Sequence, residues 1–493
     1  MVEEQQKEKG VPVWVFGVLG AGVSGVLMAV CFYPFNLYFL AWVGLVPVLV
    51  VLPKVKPEGA MLLGLVMALV YYRVALGWLF GLNGAIGAFV IVVFSIMMSF
   101  GFYVARLIMA RLGAQALLWG PAVCLMAVGL MRSEGMATLR FSYACWGYSQ
   151  AQNLWLAQIA SLGGVYLLTF LLVAFNSAVA YGAIKRKGKF WAPAIVLAVV
   201  ILGLGFVSQP RSYEVRERVP VGCVQEESYD YLEYVALVEE CFADESAPKF
   251  IVLPEHALLT IVDERDKSVQ MFGELARRHQ GYVCVGAYAE AEPGRKHPMN
   301  NVAMLIGPAG TIESLQVKSV PIPFFTDDGN PATEQFVVET RLGMVGSYVC
   351  YDGGFTDIPR RLTALGAELI LGPVMNPEDW PAAQRYQQAD VAVIRSIENR
   401  RCVVRAASSG ISQVIDATGR VTAERLQDEG AGILLGSVYF NDEKSVFVRG
   451  GWVFQHVVGW VFLVLGPVLM VQDRYLYWVN RRMGKAKKVI SDK

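Results

Sequence analysis

Ser347-Tyr348-Val349-Cys350-Tyr351-Asp352-Gly353-Gly354 reads as an apolar strand that breaks at a cysteine, turns on two glycines and enters a helix near Thr356. A strand-to-helix elbow of this kind belongs to an α/β sheet, where reactive groups stand clear at the strand ends. The turn lifts the Cys350 thiol above the sheet. It also faces the thiol towards backbone N–H groups and a helix N-terminus, which predicts a lowered thiol pKa and a place to hold an oxyanion. A buried structural cysteine is the competing reading, and Cys350 alone does not choose between them.

The alternation continues outward in both directions. Between about 215 and 445, β-branched runs alternate with amphipathic stretches: VPVGCVQ precedes DYLEYVALVEECF, FIVLP precedes KSVQMFGELARRH, and YVCVGAYAE, VAMLIGP, ELILGPV and RCVVRAASS continue the series. This predicts a sheet layered with helices. Two charged residues stand directly after apolar runs. Glu255 closes FIVLPE, and Lys318 follows TIESLQV and precedes Val320-Pro321-Ile322-Pro323-Phe324-Phe325. Each alone fits a solvated surface residue. Together, Glu255, Lys318 and Cys350 each stand at the C-terminal end of a strand, which makes the three far more specific than any one. The segment 324–337, with two phenylalanines beside a lysine, reads as a lid over such a site.

The chain as a whole is too apolar for an ordinary soluble enzyme. Of its 493 residues, 55% are hydrophobic and 17% charged, and the mean hydropathy is +0.43. The excess lies in 12–208 and 451–471, leaving 209–450 with the polar balance of a globular α/β domain. About 20 apolar residues cross a bilayer, which predicts eight membrane helices near 12–33, 36–53, 59–81, 84–105, 113–131, 163–184, 190–208 and 452–471. The first is read as a retained helix rather than a signal peptide, because it is long and lacks a small-residue cleavage site. Lys54, Lys56, Arg106, Arg111, Lys185–Lys189 and the basic tail 472–493 then fall on one side, which the positive-inside rule makes cytoplasmic together with residues 1–11. Seven crossings place 209–450 on the outer side. Arg73, inside the third helix, reads equally as a functional charge or as one reaching for the interface. Trp146, in the outer segment 131–154, reads as an interfacial anchor or part of a substrate entrance.

A net charge of +1 with no basic stripe excludes nucleic acid as a partner. The eight cysteines are scattered without a CxxC pair or a nearby histidine cluster, so neither a metal site nor a disulfide framework is expected, and the chemistry needs no cofactor.

The order Glu255, Lys318, Cys350 resembles the nitrilase superfamily, with its αββα sandwich, and Val393–Asn399, Arg401–Ala406 and Ile415–Arg420 are similar to it as well. A nitrilase-like domain between the seventh and eighth membrane helices, with Phe32–Asn36, Leu45-Val46-Pro47, Trp146–Gln150, Gly164–Tyr166 and Asn176, resembles the apolipoprotein N-acyltransferase family. The resemblance implies an enzyme of the bacterial inner membrane with its catalytic domain on the periplasmic side. It implies a phospholipid acyl donor, a diacylglyceryl-modified lipoprotein acceptor and a thioester on Cys350, with Glu255 as base. Lys318 and backbone N–H groups near Tyr351 would hold the oxyanions, with Asp352 in support; Trp146, Phe324, Phe325 and Thr326 are the substrate or lid candidates. Two positions depart from the family pattern: Thr326 stands where a glutamate is usual, and Asp352 replaces the glutamate of Cys-Tyr-Glu. A membrane-anchored amidase that uses water, and a lipoprotein-binding scaffold without activity, are the alternative readings.

Overall fold

The structure, a computed structural model, describes residues 13–135, 139–210, 217–323, 329–426 and 430–491. It divides into two compact units: Met1–Arg132 with Thr169–Leu202 and Phe454–Lys493, and Ser133–Leu168 with Gly203–Val453.

The first unit is helical and apolar. Among the described residues five helices are long and apolar enough to cross a membrane: Pro57–Ala75, Gly84–Leu112, Ala160–Lys185, Gly188–Val207 and Phe447–Leu476. Two of the remaining expected helices are interrupted. The segment expected over 36–53 is a 3-10 turn at Tyr38–Trp42, an α-helix at Val46–Val51 and a second 3-10 turn at Leu52–Lys54. Pro47 and Pro53 are the cause, because each lacks an N–H and ends the hydrogen-bond ladder behind it. The buried Asn176 side chain meets the resulting backbone groups, accepting from Leu45 N (2.8 Å) and donating to Ala41 O (2.8 Å). Likewise 113–131 is a 3-10 turn at Ala114–Leu118 followed by a helix at Gly120–Leu130 with Pro121 in its first turn. The final helix, Val453–Ser491, runs past the expected end at 471. Arg73, in the last turn of its helix, is exposed with its guanidinium 4.9 Å above the Phe80 ring, as expected of a cation reaching for the helix end.

The second unit is a sandwich of two six-stranded sheets. Its strands are β1 (Val219–Gln225), β2 (Phe250–Val252), β3 (Tyr282–Glu290), β4 (Met299–Ile306), β5 (Ile312–Val317), β6 (Val337–Thr340), β7 (Gly343–Ser347), β8 (Leu369–Val374), β9 (Cys402–Ala407), β10 (Ser412–Ile415), β11 (Val421–Arg425) and β12 (Gly432–Val438). The sheet orders are β12-β1-β2-β3-β4-β5 and β11-β10-β9-β8-β7-β6. In each sheet a parallel trio, β1-β2-β3 or β7-β8-β9, is flanked by antiparallel strands. Parallel neighbours need crossovers. These are α1 (Tyr231–Ala243), α2 (Lys267–His279), α3 (Asp357–Leu365) and α4 (Ala382–Asn399).

The strand period of two sorts the side chains into layers. Val221, Cys223, Phe250, Val252 and Cys284 meet Val345, Leu369, Leu371 and Val404 between the sheets. Their sequence neighbours Val224, Ile251, Leu253, Val283 and Val285 pack outward with Val238, Phe242, Phe272 and Leu275 of α1 and α2. This is the expected αββα sandwich.

Gly286 of β3 sets the path of the chain leaving β2. The two backbones run so close that a Cβ at Gly286 would lie 2.3 Å from Glu255 Cα and from Pro254 O. Neither backbone atom can swing away. Gly286→Ala should therefore lower the unfolding midpoint, by an overpacking cost of about 1–3 kcal/mol, and displace Glu255. Thermal unfolding of the purified variant checks this, and an unchanged midpoint would contradict the close approach.

Candidate active site

Three strand ends converge on one buried space. Glu255 follows β2, Lys318 follows β5 of the same sheet, and Cys350 follows β7 of the facing sheet, so packing the sheets face to face brings the three together. Lys318 is 0%, Glu255 3% and Cys350 5% exposed, which leaves no room for bulk water. Lys318 Nζ donates to Glu255 Oε1 at 2.9 Å. Asn301 Nδ2 donates to the same oxygen at 2.7 Å, and Met375 N donates to Oε2 at 3.2 Å. The Cys350 thiol donates to Met375 O at 3.7 Å, so thiol and carboxylate meet the same backbone residue.

Burial alone would push the Glu255 carboxyl up. The Lys318 ammonium, aided by His256, outweighs it and holds Glu255 well below the usual carboxylate range. A depressed carboxyl stabilises the fold above its ordinary range, and that contribution is lost as the pH falls below it. The thiol goes the other way. Burial raises it first and the Glu255 charge raises it further, against a smaller opposing pull from Lys318. The lowered thiol pKa expected from the elbow is therefore corrected. The turn is a single 3-10 element, Cys350–Gly354, and its short dipole does not offset burial beside a carboxylate. At rest the site holds a carboxylate, an ammonium and a neutral thiol.

Residues 24–178 match the family model described as the apolipoprotein N-acyltransferase N-terminal domain, and residues 221–446 match the carbon-nitrogen hydrolase family. Over most of its length the chain is similar to apolipoprotein N-acyltransferases. Similar curated proteins of that name include one from Geobacter metallireducens, 26% identical over 489 residues, covering 88% of this chain and 92% of the relative. Another, from Gloeobacter violaceus, is 27% identical over 467 residues, covering 85% and 87%. Among solved structures, the carbon-nitrogen hydrolase of Helicobacter pylori G27 aligns with 50% of this chain and 99% of its own at 16% identity and a TM-score of 0.41.

The elbow itself is strained. Cys350 adopts φ +45°, a conformation that costs a non-glycine residue about 1 kcal/mol and persists only where neighbours impose it. Asp352 imposes it. Its carboxylate accepts from Ser319 N (3.0 Å), Val320 N (2.8 Å) and Val349 N (3.3 Å), tying the chain after Lys318 to the cysteine turn. Asp352 thus clamps the backbone; burial pushes its carboxyl up to about 7 against these bonds. The Tyr351 side chain faces away from the base, its hydroxyl donating to Arg140 O at 2.6 Å.

The segment Ser133–Leu168 belongs to this unit, although its pattern reads as an outer loop leading into a membrane helix. It braces the elbow from behind. Glu134 accepts from Thr356 N (3.0 Å) and Thr356 Oγ1 (3.1 Å) at the start of α3, and Arg140 pairs with Glu134 (2.7 Å) and Asp357 (3.0 Å). Arg395 of α4 donates to Gly353 O (3.2 Å), Gly354 O (3.1 Å) and Tyr148 Oη, and it pairs with Glu398, which accepts from Val165 N (2.7 Å). Trp146 opens the 3-10 element Trp146–Gln152 in this segment and is buried. An interfacial anchor needs an exposed ring, so that expectation is corrected. Phe324, Phe325 and Thr326 lie outside the described residues. The described residues contain no group of three or more His, Cys, Asp or Glu able to hold a metal.

Sequence reading missed Asn301, Met375, His256 and Gln388, whose Nε2 lies 3.7 Å from Cys350 Sγ. Asn301 was detectable: it shares its strand face with Ala303 and Leu305, which point between the sheets, so a polar side chain there had to find a partner. His256 stacks on Tyr288 (4.9 Å) and sits 3.8 Å from Glu255; nothing in its sequence context marks it. The neutral thiol makes a direct prediction. Alkylation of Cys350 by iodoacetamide in the purified protein should still be climbing between about pH 8 and about pH 9.5, and a plateau reached below that range would contradict the raised thiol.

Proposed function

We propose that this chain transfers an acyl group from a membrane phospholipid to the α-amine of a diacylglyceryl-cysteine at a lipoprotein N-terminus, through a thioester on Cys350. The observation that carries the reading is the buried Glu255–Lys318–Cys350 cluster, in which the carboxylate pairs with the ammonium and meets the Met375 backbone that also receives the thiol.

Glu255 takes the Sγ proton as sulfur attacks the ester carbonyl. Protonation of Glu255 frees the Lys318 charge, which with the Tyr351 N–H holds the oxyanion. Collapse breaks the ester C–O bond, and the glycerol oxygen leaves with the proton from Glu255 as a lysophospholipid. The acceptor amine then attacks the thioester, Glu255 takes its proton, the C–S bond breaks and sulfur recovers the proton. The product is an amide and the starting enzyme. Exclusion of water supports transfer over hydrolysis, and Lys318, with no exposed surface, sits where that matters.

In this reading residues 12–208 and 451–471 supply eight crossings of a bacterial inner membrane, the catalytic domain faces the periplasm, and both lipid substrates reach the site without leaving the bilayer. Support comes from the apolar helices and from relatives whose name specifies apolipoprotein N-acylation.

Purified protein given phosphatidylethanolamine and a diacylglyceryl-cysteine peptide should release lysophospholipid and N-acyl peptide in equal amounts, and Glu255→Gln should slow this by about a hundredfold or more. Lysophospholipid and free fatty acid formed equally fast without the peptide would replace transfer by hydrolysis. Because Glu255 stays ionised and the thiol neutral, the acylation step should be flat from about pH 5 to about pH 8. A tenfold rise per pH unit across that window would mean that a preformed thiolate is the nucleophile.

A further inference from the structure

We propose that Gln388 is a further catalytic residue, whose side-chain amide, polarised by the buried cation Arg405, donates to the Cys350 sulfur whenever that sulfur carries negative charge. The proposal rests on Cys350 being the nucleophile.

Gln388 projects from α4 into the site, with Nε2 3.7 Å from Cys350 Sγ, a donor distance suited to sulfur. Which end of the amide faces the thiol follows from its other partners. Oε1 accepts from Arg405 Nη2 at 2.8 Å and from Asn376 Nδ2 at 2.8 Å. Both are donors only, so the oxygen must point at them and the NH₂ at the sulfur.

Arg405 makes this arrangement more than a packing detail. It stands on β9, 1% exposed, and its guanidinium is met by neutral oxygens: Asn376 Oδ1 at 3.2 Å, Gln388 Oε1 and Ile411 O. Among the described residues no carboxylate pairs with it. A buried cation held only by neutral acceptors is costly, and an anion forming nearby recovers part of that cost. The reaction forms one at Cys350, when the thiol loses its proton to Glu255 and again when sulfur is expelled from the second tetrahedral intermediate. The charged and titratable groups facing this sulfur are Glu255, Lys318, Arg405, Tyr143 and Tyr348. The two cations divide the work: Lys318 serves the carboxylate and the oxyanion, and Arg405, acting through Gln388 as a positioning residue, serves the sulfur.

The test is alkylation of the full chain in detergent by iodoacetamide at pH 8, quantified on the Cys350 peptide, with Cys350→Ala as blank and the unfolding midpoint measured alongside. Gln388→Met, which keeps the volume and removes the donor, should lower the alkylation rate about tenfold, the equivalent of one unit of thiol pKa. Arg405→Met should slow it in the same direction, and Arg405→Lys should recover most of the rate by restoring the charge. If Gln388→Met does not fold, Gln388→Asn keeps an amide for Arg405 while drawing the donor back by about 1.5 Å, and it should be slowed likewise. A parental alkylation rate in a folded Gln388 variant would overturn the proposal, as would an Arg405→Lys protein as slow as Arg405→Met. Alkylation needs no lipid, so failure here leaves the thioester reading standing, and failure of the thioester reading leaves this result interpretable.

Discussion

A carboxylate and an ammonium sit 2.9 Å apart in a space with almost no exposed surface, and the rest of the catalytic domain is arranged around that pair. Neither ion could be buried alone: removing one partner leaves an uncompensated charge at a cost of about 3–5 kcal/mol. The pair therefore ties the end of β2 to the end of β5 across their shared sheet, with Asn301 and the Met375 N–H as further donors to Glu255. It also sets the chemistry. With its charge held by Lys318, Glu255 remains ionised inside an apolar interior, and the same negative charge adds to burial in raising the adjacent thiol.

The facing sheet answers with a strained turn. Cys350 holds a left-handed conformation because Asp352 grips the backbone following Lys318 and because Glu134, Arg140, Arg395 and Tyr148 brace the elbow from the side away from the base. Much of that bracing comes from residues 133–168, in a chain whose neighbouring segments are apolar helices. A clamp of this kind holds the Cys350 sulfur in one position.

Much of this is legible in the sequence because it depends on local pattern. Apolar runs ending in Glu255, Lys318 and Cys350 announce their strand ends, and alternation along VPVGCVQ and FIVL separates the two core layers. What is not legible depends on partners distant along the chain. Gln388 lies among the polar residues of α4, and only the packing of that helix in the folded domain buries them. The turn at Cys350 and its dipole are visible locally and argue for a lowered thiol pKa, whereas the burial and the Glu255 charge that raise it are not. Pro47, Pro53 and Pro121 stand in plain view, yet hydropathy alone does not register that they break apolar helices into short pieces. Asp352 is the reverse case: a departure from the family pattern that proves to be a backbone clamp, its carboxylate fully engaged by three N–H groups.

The central claim is that one sulfur carries the acyl group between two lipids, and the mass of that sulfur's peptide tests it most directly. The purified full chain is incubated with phosphatidylethanolamine and no acceptor amine, then digested and weighed. The account predicts that the peptide bearing Cys350 gains one acyl chain, that hydroxylamine removes it, and that Cys350→Ala protein gains none. Lysophospholipid release with the Cys350 peptide unmodified, or an acyl group found on another residue, would contradict it.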